Sequence, residues 1–156
     1  MLATPLQLAQ AAMVLANKGE SFVPSVVHRV DDLTVGGVQR PRIPMDEADW
    51  QAVVEGMVDV VHSPRGTAAG IARGLGYQIA GKTGTSQVVS IAQDAIYDED
   101  AISERNRNHG LFVAFAPVEN PRIVVAVIAE NGGGSGAASP VARRIMDAWL
   151  IEASDV

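Results

Sequence analysis

Two runs in the second half of the chain, Leu111-Phe112-Val113-Ala114-Phe115-Ala116 and Ile123-Val124-Val125-Ala126-Val127-Ile128-Ala129, are apolar at every position. β-Branched and aromatic side chains dominate them, which favours extended backbone. The short stretch between them is bounded by Pro117 and Pro121 and predicts a hairpin turn. Successive side chains of a strand point to opposite faces, so strands apolar at both parities need cover on two sides. An antiparallel sheet with helices packed on it, an α+β architecture, follows. Neither run approaches the ~20 apolar residues that span a bilayer.

The covering helices can be placed. Thr4-Pro5-Leu6-Gln7 supplies a capping hydroxyl, a proline for the first helical position and a glutamine able to close a capping box. Leu8, Ala12 and Leu15 then share a face, and Lys18-Gly19 predicts the end at Lys18. A helix so close to the first residue suggests a segment of something longer. Asp46-Glu47-Ala48-Asp49 puts acidic groups where a helix N-terminus favours them, and Trp50, Val54, Met57 and Val61 repeat at helical spacing. A second helix over residues 46–61 is predicted, stopped by Pro64 and Gly66. Ser139-Pro140 predicts the start of a third, with Val141, Ile145, Ala148 and Trp149 on its buried face. Trp50 and Trp149 both read as core residues. Between the first two helices, residues 22–30 predict a short strand and Gly36-Gly37, Pro41 and Pro44 a turn or ribbon.

Charge and composition narrow the function. The chain has 156 residues, 47% hydrophobic and 19% charged, which is the composition of a folding chain. Its formal charge is -6, with a pI near 4.9. With no Lys/Arg cluster, nucleic acid and anionic membrane surfaces are poor partners. Cysteine is absent, which removes thiolate catalysis and cysteine-zinc sites. His28, His62 and His109 do not fall at ligand spacing with carboxylates, so no metal and no cofactor is expected. Met1-Leu2-Ala3-Thr4 lacks the basic and apolar regions of a signal peptide. Residues 90–108 are polar and acidic and read as a long loop, where Asp94, Asp98, Glu99 and Asp100 form a solvated face.

Gly76-Tyr77-Gln78-Ile79-Ala80-Gly81-Lys82-Thr83 fits the phosphate-loop pattern G-x-x-x-x-G-K-[ST]. That loop requires a buried strand before its first glycine and a helix opening at the Lys-Thr, so that amides and the helix dipole converge on the anion. Here the order is reversed: residues 77 to about 88 read as a strand, and Gly84, Thr85, Val88 and Val89 would spoil a helix. On a strand, Lys82 and Gly84 share one face, and Thr83 and Thr85 the other. Lys82 then brings a fixed positive charge, both hydroxyls can donate to a carboxylate, and Gly84 admits a close backbone. A free strand edge offers main-chain pairing to an extended peptide. Lys82, Thr83, Gly84 and Thr85 are therefore the candidate site, suited to a peptide with a free carboxylate. A nucleotide-binding module and a non-catalytic interaction piece are the alternatives.

Lys82-Thr83-Gly84 is one of the three signatures of the serine penicillin-binding proteins, and the chain resembles that family along nearly its whole length. Thr4-Pro5-Leu6-Gln7-Leu8-Ala9 resembles a helix start of the family, Gly66-Thr67-Ala68 the segment before its active-site strand, and Ala80-Gly81-Lys82-Thr83-Gly84-Thr85-Ser86 that strand. Phe115-Ala116-Pro117 with Asn120-Pro121 resembles its hairpin, and Glu130-Asn131-Gly132-Gly133 the hairpin's end. Asn108-His109 and Glu130-Asn131-Gly132 look most like the elongation-type class B enzymes, the penicillin-binding protein 2 group.

The resemblance implies a β-lactamase/transpeptidase-like fold and acyl transfer from the D-Ala-D-Ala bond of a peptidoglycan stem peptide, which β-lactams mimic. It implies that Thr83 and Thr85 bind the substrate carboxylate, that Lys82 shapes the field and proton traffic, and that the Thr85 N–H is one oxyanion donor. It also implies a periplasmic location at the inner membrane for the longer protein. One departure is large. No serine has lysine three positions on, and no serine or tyrosine has asparagine two positions on. Ser86 and Ser90 lie near the motif without a neighbouring base and read as polar strand and loop residues. The expectation is that residues 1–156 are the C-terminal portion of a transpeptidase domain, inactive alone. The first and last helices then shield one face of the sheet, and an apolar patch left bare leads the chain to self-associate.

Overall fold

The computed structural model describes residues 2–27, 29–89 and 102–152. Helix α1 (Pro5–Ala16) is followed by four two-residue strands, β1 (Ser21–Phe22), β2 (Arg29–Val30), β3 (Leu33–Thr34) and β4 (Gln39–Arg40). Helix α2 (Glu47–His62), strand β5 (Ala80–Ser86), the hairpin β6 (His109–Ala116) and β7 (Ile123–Ala129), and helix α3 (Ser135–Leu150) complete the order. Short 3-10 turns lie at Ala69–Ile71 and Glu104–Asn106. The expected α+β class holds.

The hairpin pairs antiparallel from Gly110 opposite Ala129 to Ala116 opposite Ile123. β5 takes the other side of β6, from Ala80 opposite Phe115 to Ser86 opposite His109, so the sheet order is β5-β6-β7. Both faces of β6 carry packed side chains, although Leu111 and Val113 on one of them are only partly buried. Phe112, Ala114 and Ala116 pack with Ile79 of the segment before β5 and with Ala138, Ala142 and Met146 of α3. Phe115 points the other way, with Ala80, into Met57 and Val54 of α2 and Leu15 and Ala16 of α1. The first and last helices therefore cover opposite faces, where the sequence predicted a shared one.

α1 begins as expected. Thr4 Oγ1 accepts from the Gln7 N–H and the Gln7 side chain accepts from the Thr4 N–H, which closes the capping box. The helix stops at Ala16, earlier than expected, because Lys18 and Gly19 both turn left-handed (φ 49° and 96°). Glycine is required at 19, since a Cβ there would stand 2.3 Å from the Ile43 carbonyl oxygen. In α2, Asp46 is the N-cap and not the first helical residue, and Trp50, Met57 and Val61 are buried as predicted.

Three expectations are corrected. In place of one strand over 22–30, the described residues hold two short ones with different partners: Phe22 of β1 pairs with Gln39, and Arg29 and Val30 of β2 pair with Thr34 and Leu33. Its apolar residues are exposed, so burial gives no continuous strand there. β5 is also shorter than residues 77–88, ending at Ser86 where its pairing with β6 runs out. α3 starts at Ser135 and takes Pro140 inside its second turn. Its buried face is Ala138, Ala142 and Met146, while Val141, Ile145 and Trp149 are exposed, Trp149 by 53%. Small residues win that face because α3 starts against the sheet: a Cβ on Gly110 would lie 2.0 Å from the Gly134 carbonyl oxygen.

Candidate active site

β5 is an edge strand: among the described residues it pairs with β6 alone, leaving one row of backbone groups facing outward. The register fixes its side chains. Lys82 stands opposite Val113 and Gly84 opposite Leu111, on the face that α1 and α2 cover further along. Thr83 stands opposite Phe112 and Thr85 opposite Gly110, on the face of α3. The structure thus separates Lys82 and Gly84 from Thr83 and Thr85 as the alternation predicts. Lys82 and Thr83 lie within the strand, so the helix that a phosphate loop needs at this point is replaced by sheet. The nucleotide-binding alternative falls with it.

Two glycines of the motif have different reasons. A Cβ on Gly81 would meet Phe112 Cζ at 2.6 Å, so internal packing demands glycine there. Among the described residues, a Cβ on Gly84 would meet Leu111 Cβ alone, at 3.3 Å. Packing among the described residues restricts that position far less than it does Gly81. Lys82 Nζ folds back along the strand and donates to the Thr83 carbonyl at 2.6 Å. Ser86 is exposed at the end of the strand.

Sequence reasoning missed Thr67. Its Oγ1 lies 2.8 Å from Thr83 Oγ1, close enough for the two hydroxyls to share a hydrogen bond. The turn after α2 brings it there. The Ala68 N–H donates to the Val60 carbonyl at 2.9 Å, and a Cβ on Gly66 would lie 2.3 Å from that same oxygen. The only sequence signal was the likeness of Gly66-Thr67-Ala68 to a segment preceding an active-site strand.

The approach to β5 is held at two further points. The Ile79 N–H donates to His62 Nε2 at 3.1 Å, which leaves the neutral ring's proton on Nδ1. Tyr77 Oη donates to Asp147 Oδ1 at 2.6 Å, and Arg143 Nε donates to Asp147 Oδ2 at 2.6 Å. Arg143 Nη1 also donates to the carbonyls of Ile71 and Arg73, at 2.7 and 3.2 Å. Burial, followed by the hydrogen bond to the Asp147 carboxylate, pushes the Tyr77 phenol well above its ordinary range. Of the residues singled out in the sequence, His28, Ser90, Asp94, Asp98, Glu99 and Asp100 lie outside the described residues.

The chain's similarities agree with this geometry. A peptidoglycan D,D-transpeptidase MrdA of Acinetobacter baumannii is 47% identical over 154 residues, covering 96% of this chain and 22% of that protein. Penicillin-binding protein 2 of Pseudomonas aeruginosa, solved in complex with WCK 5153, superposes with a TM-score of 0.78 at 43% identity over 96% of this chain and 31% of that one. Penicillin-binding protein A of M. tuberculosis, solved as an imipenem acyl-enzyme complex, gives a TM-score of 0.70 at 28% identity, over 95% of this chain and 31% of that one. The chain thus spans between a fifth and a third of the length of these relatives. Residues 1–147 match the penicillin binding protein transpeptidase domain. With Lys-Thr-Gly on an edge strand and that match running from the first residue into α3, the chain belongs to the penicillin-binding protein transpeptidase family.

Proposed function

We propose that this chain is the C-terminal portion of a peptidoglycan D,D-transpeptidase domain and forms its substrate-carboxylate and oxyanion half-site. The observation that carries this reading is the free edge of β5, with Thr83 and Thr85 on one face and Thr67 reaching Thr83. An extended stem peptide pairs with that edge, and its terminal carboxylate accepts from the Thr83 and Thr85 hydroxyls. Thr67 orients the Thr83 hydroxyl. Gly84 leaves room for the incoming backbone, which explains a glycine that packing among the described residues asks for only weakly.

The nucleophile belongs to a part of the longer protein outside this sequence. Its serine oxygen attacks the carbonyl of the D-Ala-D-Ala bond, and the developing oxyanion is held in part by the Thr85 N–H. Losing one such donor typically costs ~2.7–4 kcal/mol of transition-state stabilisation. The C–N bond breaks, the terminal D-alanine leaves with the proton, and an amine of a neighbouring stem peptide then displaces the serine from the ester. Lys82 supplies fixed positive charge beside this chemistry. A β-lactam enters by the same route and stops at the acyl-enzyme. The longer protein works on the periplasmic side of the inner membrane, where its substrate lies.

Labelling with a fluorescent penicillin followed by denaturing electrophoresis tests the reading. The longer protein gives a covalent band, Thr83→Val slows its formation by about tenfold or more through one lost charge-assisted hydrogen bond, and residues 1–156 alone stay dark. A band on the isolated chain, or an unlabelled longer protein, overturns it.

A further inference from the structure

We propose that Asn131, in the turn after β7, is a positioning residue for the Thr85 end of β5. The inference deepens the function proposed above and rests on it. Asn131 does not touch the candidate site. Its backbone is left-handed, φ 55°, a conformation that asparagine tolerates better than most residues. From there it makes three contacts to the segment that enters β6. Its N–H donates to His109 Nδ1 at 2.9 Å, and its side-chain Nδ2 forks to the carbonyls of Arg105 and Arg107, at 2.9 and 3.1 Å. The Gly133 N–H adds a bond to the Asn108 carbonyl at 2.9 Å.

The clasped segment is the one against which the motif is registered. His109 is the partner of Ser86, and Gly110 the partner of Thr85. Gly110 is in turn pressed on the first turn of α3, through the Gly134 carbonyl. Thr85 therefore lies on a strand end whose one neighbour in the sheet among the described residues, β6, is held from behind by Asn131 and by the pairing of Gly110 with Ala129 of β7. An edge strand has no second neighbour to keep it in place, so slack at residues 105–110 passes directly to the Thr85 N–H. Misplacing a transition-state group by about 1 Å can cost as much as about a hundredfold in rate.

Asn131→Gly isolates the fork, since glycine keeps the left-handed backbone and the N–H to His109 but removes both side-chain bonds. Asn131→Asp keeps the shape and turns an acceptor on two carbonyls. The variants are made in the longer protein, and penicillin acylation is resolved into the dissociation constant, the acylation rate constant and the fraction of active enzyme. The expected result is an acylation rate constant lower by about tenfold in Asn131→Gly and further in Asn131→Asp, with the dissociation constant within about twofold. Hydrogen exchange at residues 103–110 should rise by roughly thirtyfold, the worth of two ordinary hydrogen bonds, with α1 unchanged. A merely structural role would lower the active fraction and leave the constants of the remainder intact; that result overturns the proposal, as does unchanged exchange at 103–110. Failure of the unaltered longer protein to acylate refutes instead the function on which the inference rests.

Discussion

Replacing Gly81 by alanine places a methyl group 2.6 Å from Phe112 Cζ, 3.0 Å from its Cε2 and 3.3 Å from Ala114 Cβ. Phe112 is 1% exposed and enclosed by the α3 side of the core, so its ring has nowhere to swing. Overpacking of this kind typically costs ~1–3 kcal/mol. The unfolded chain loses freedom when glycine becomes alanine, which returns ~0.4–1 kcal/mol. The net expectation is a loss of about 1–2 kcal/mol, or ~2–8 °C in Tm for a chain of this size. Gly84→Ala asks only that Leu111 give by a few tenths of an ångström, and the unfolded-state gain offsets that, so its stability stays within about 1 kcal/mol of the parent sequence. In the longer protein the order inverts. Gly84→Ala crowds the incoming substrate and slows penicillin acylation, although the fold is intact. Urea titration of both variants, followed by circular dichroism, together with acylation kinetics of Gly84→Ala, measures the two effects separately. If Gly84→Ala destabilises as much as Gly81→Ala, Gly84 is there for internal packing and the substrate argument fails.

The exposed stripe Val141, Ile145 and Trp149 on α3 leads the isolated chain to self-associate, which light scattering over a concentration series detects; Ile145→Lys with Trp149→Glu should return it to monomer, and a parent chain already monomeric at high micromolar concentration refutes the idea. Tyr77 has a raised phenol, so the folded state holds its proton more tightly than the unfolded state does at the ordinary value of 10.0. Its contribution to stability is full below about pH 10 and declines as pH rises beyond it, and Tyr77→Phe should flatten that alkaline limb in urea titrations at pH 8 to 11.

Much of this fold is local and legible for that reason. The capping box of Thr4 and Gln7, the Trp50, Met57 and Val61 face of α2 and the apolar runs of the hairpin all declare themselves within a few residues. α3 does not. Ala138, Ala142 and Met146 repeat at the same spacing as Val141, Ile145 and Trp149. Periodicity cannot choose between two stripes of equal period, and side-chain size favours the wrong one. The choice is made by Gly110, where strand and helix backbones meet, a contact that sequence distance hides. The site divides the same way. Lys82, Thr83, Gly84 and Thr85 are readable from alternation along one strand, whereas Thr67 meets Thr83 across sixteen residues and Asn131, behind the site, meets Arg105 across more than twenty.

The placement of α1 and α3 on opposite faces bears on the order in which the chain assembles. Residues 109–150 form a nearly continuous set of neighbours: β6 turns back into β7, and α3 returns directly onto both. α1 instead docks on β7 and β6 about a hundred residues downstream of itself. Closing so long a span adds an entropic barrier that local contacts do not meet, and chains dominated by such distant pairings fold slowly. The hairpin and α3 are thus the pieces that nearby contacts can assemble first, an order that φ-values at Ala142 and Ala12 would test: high at the first and low at the second.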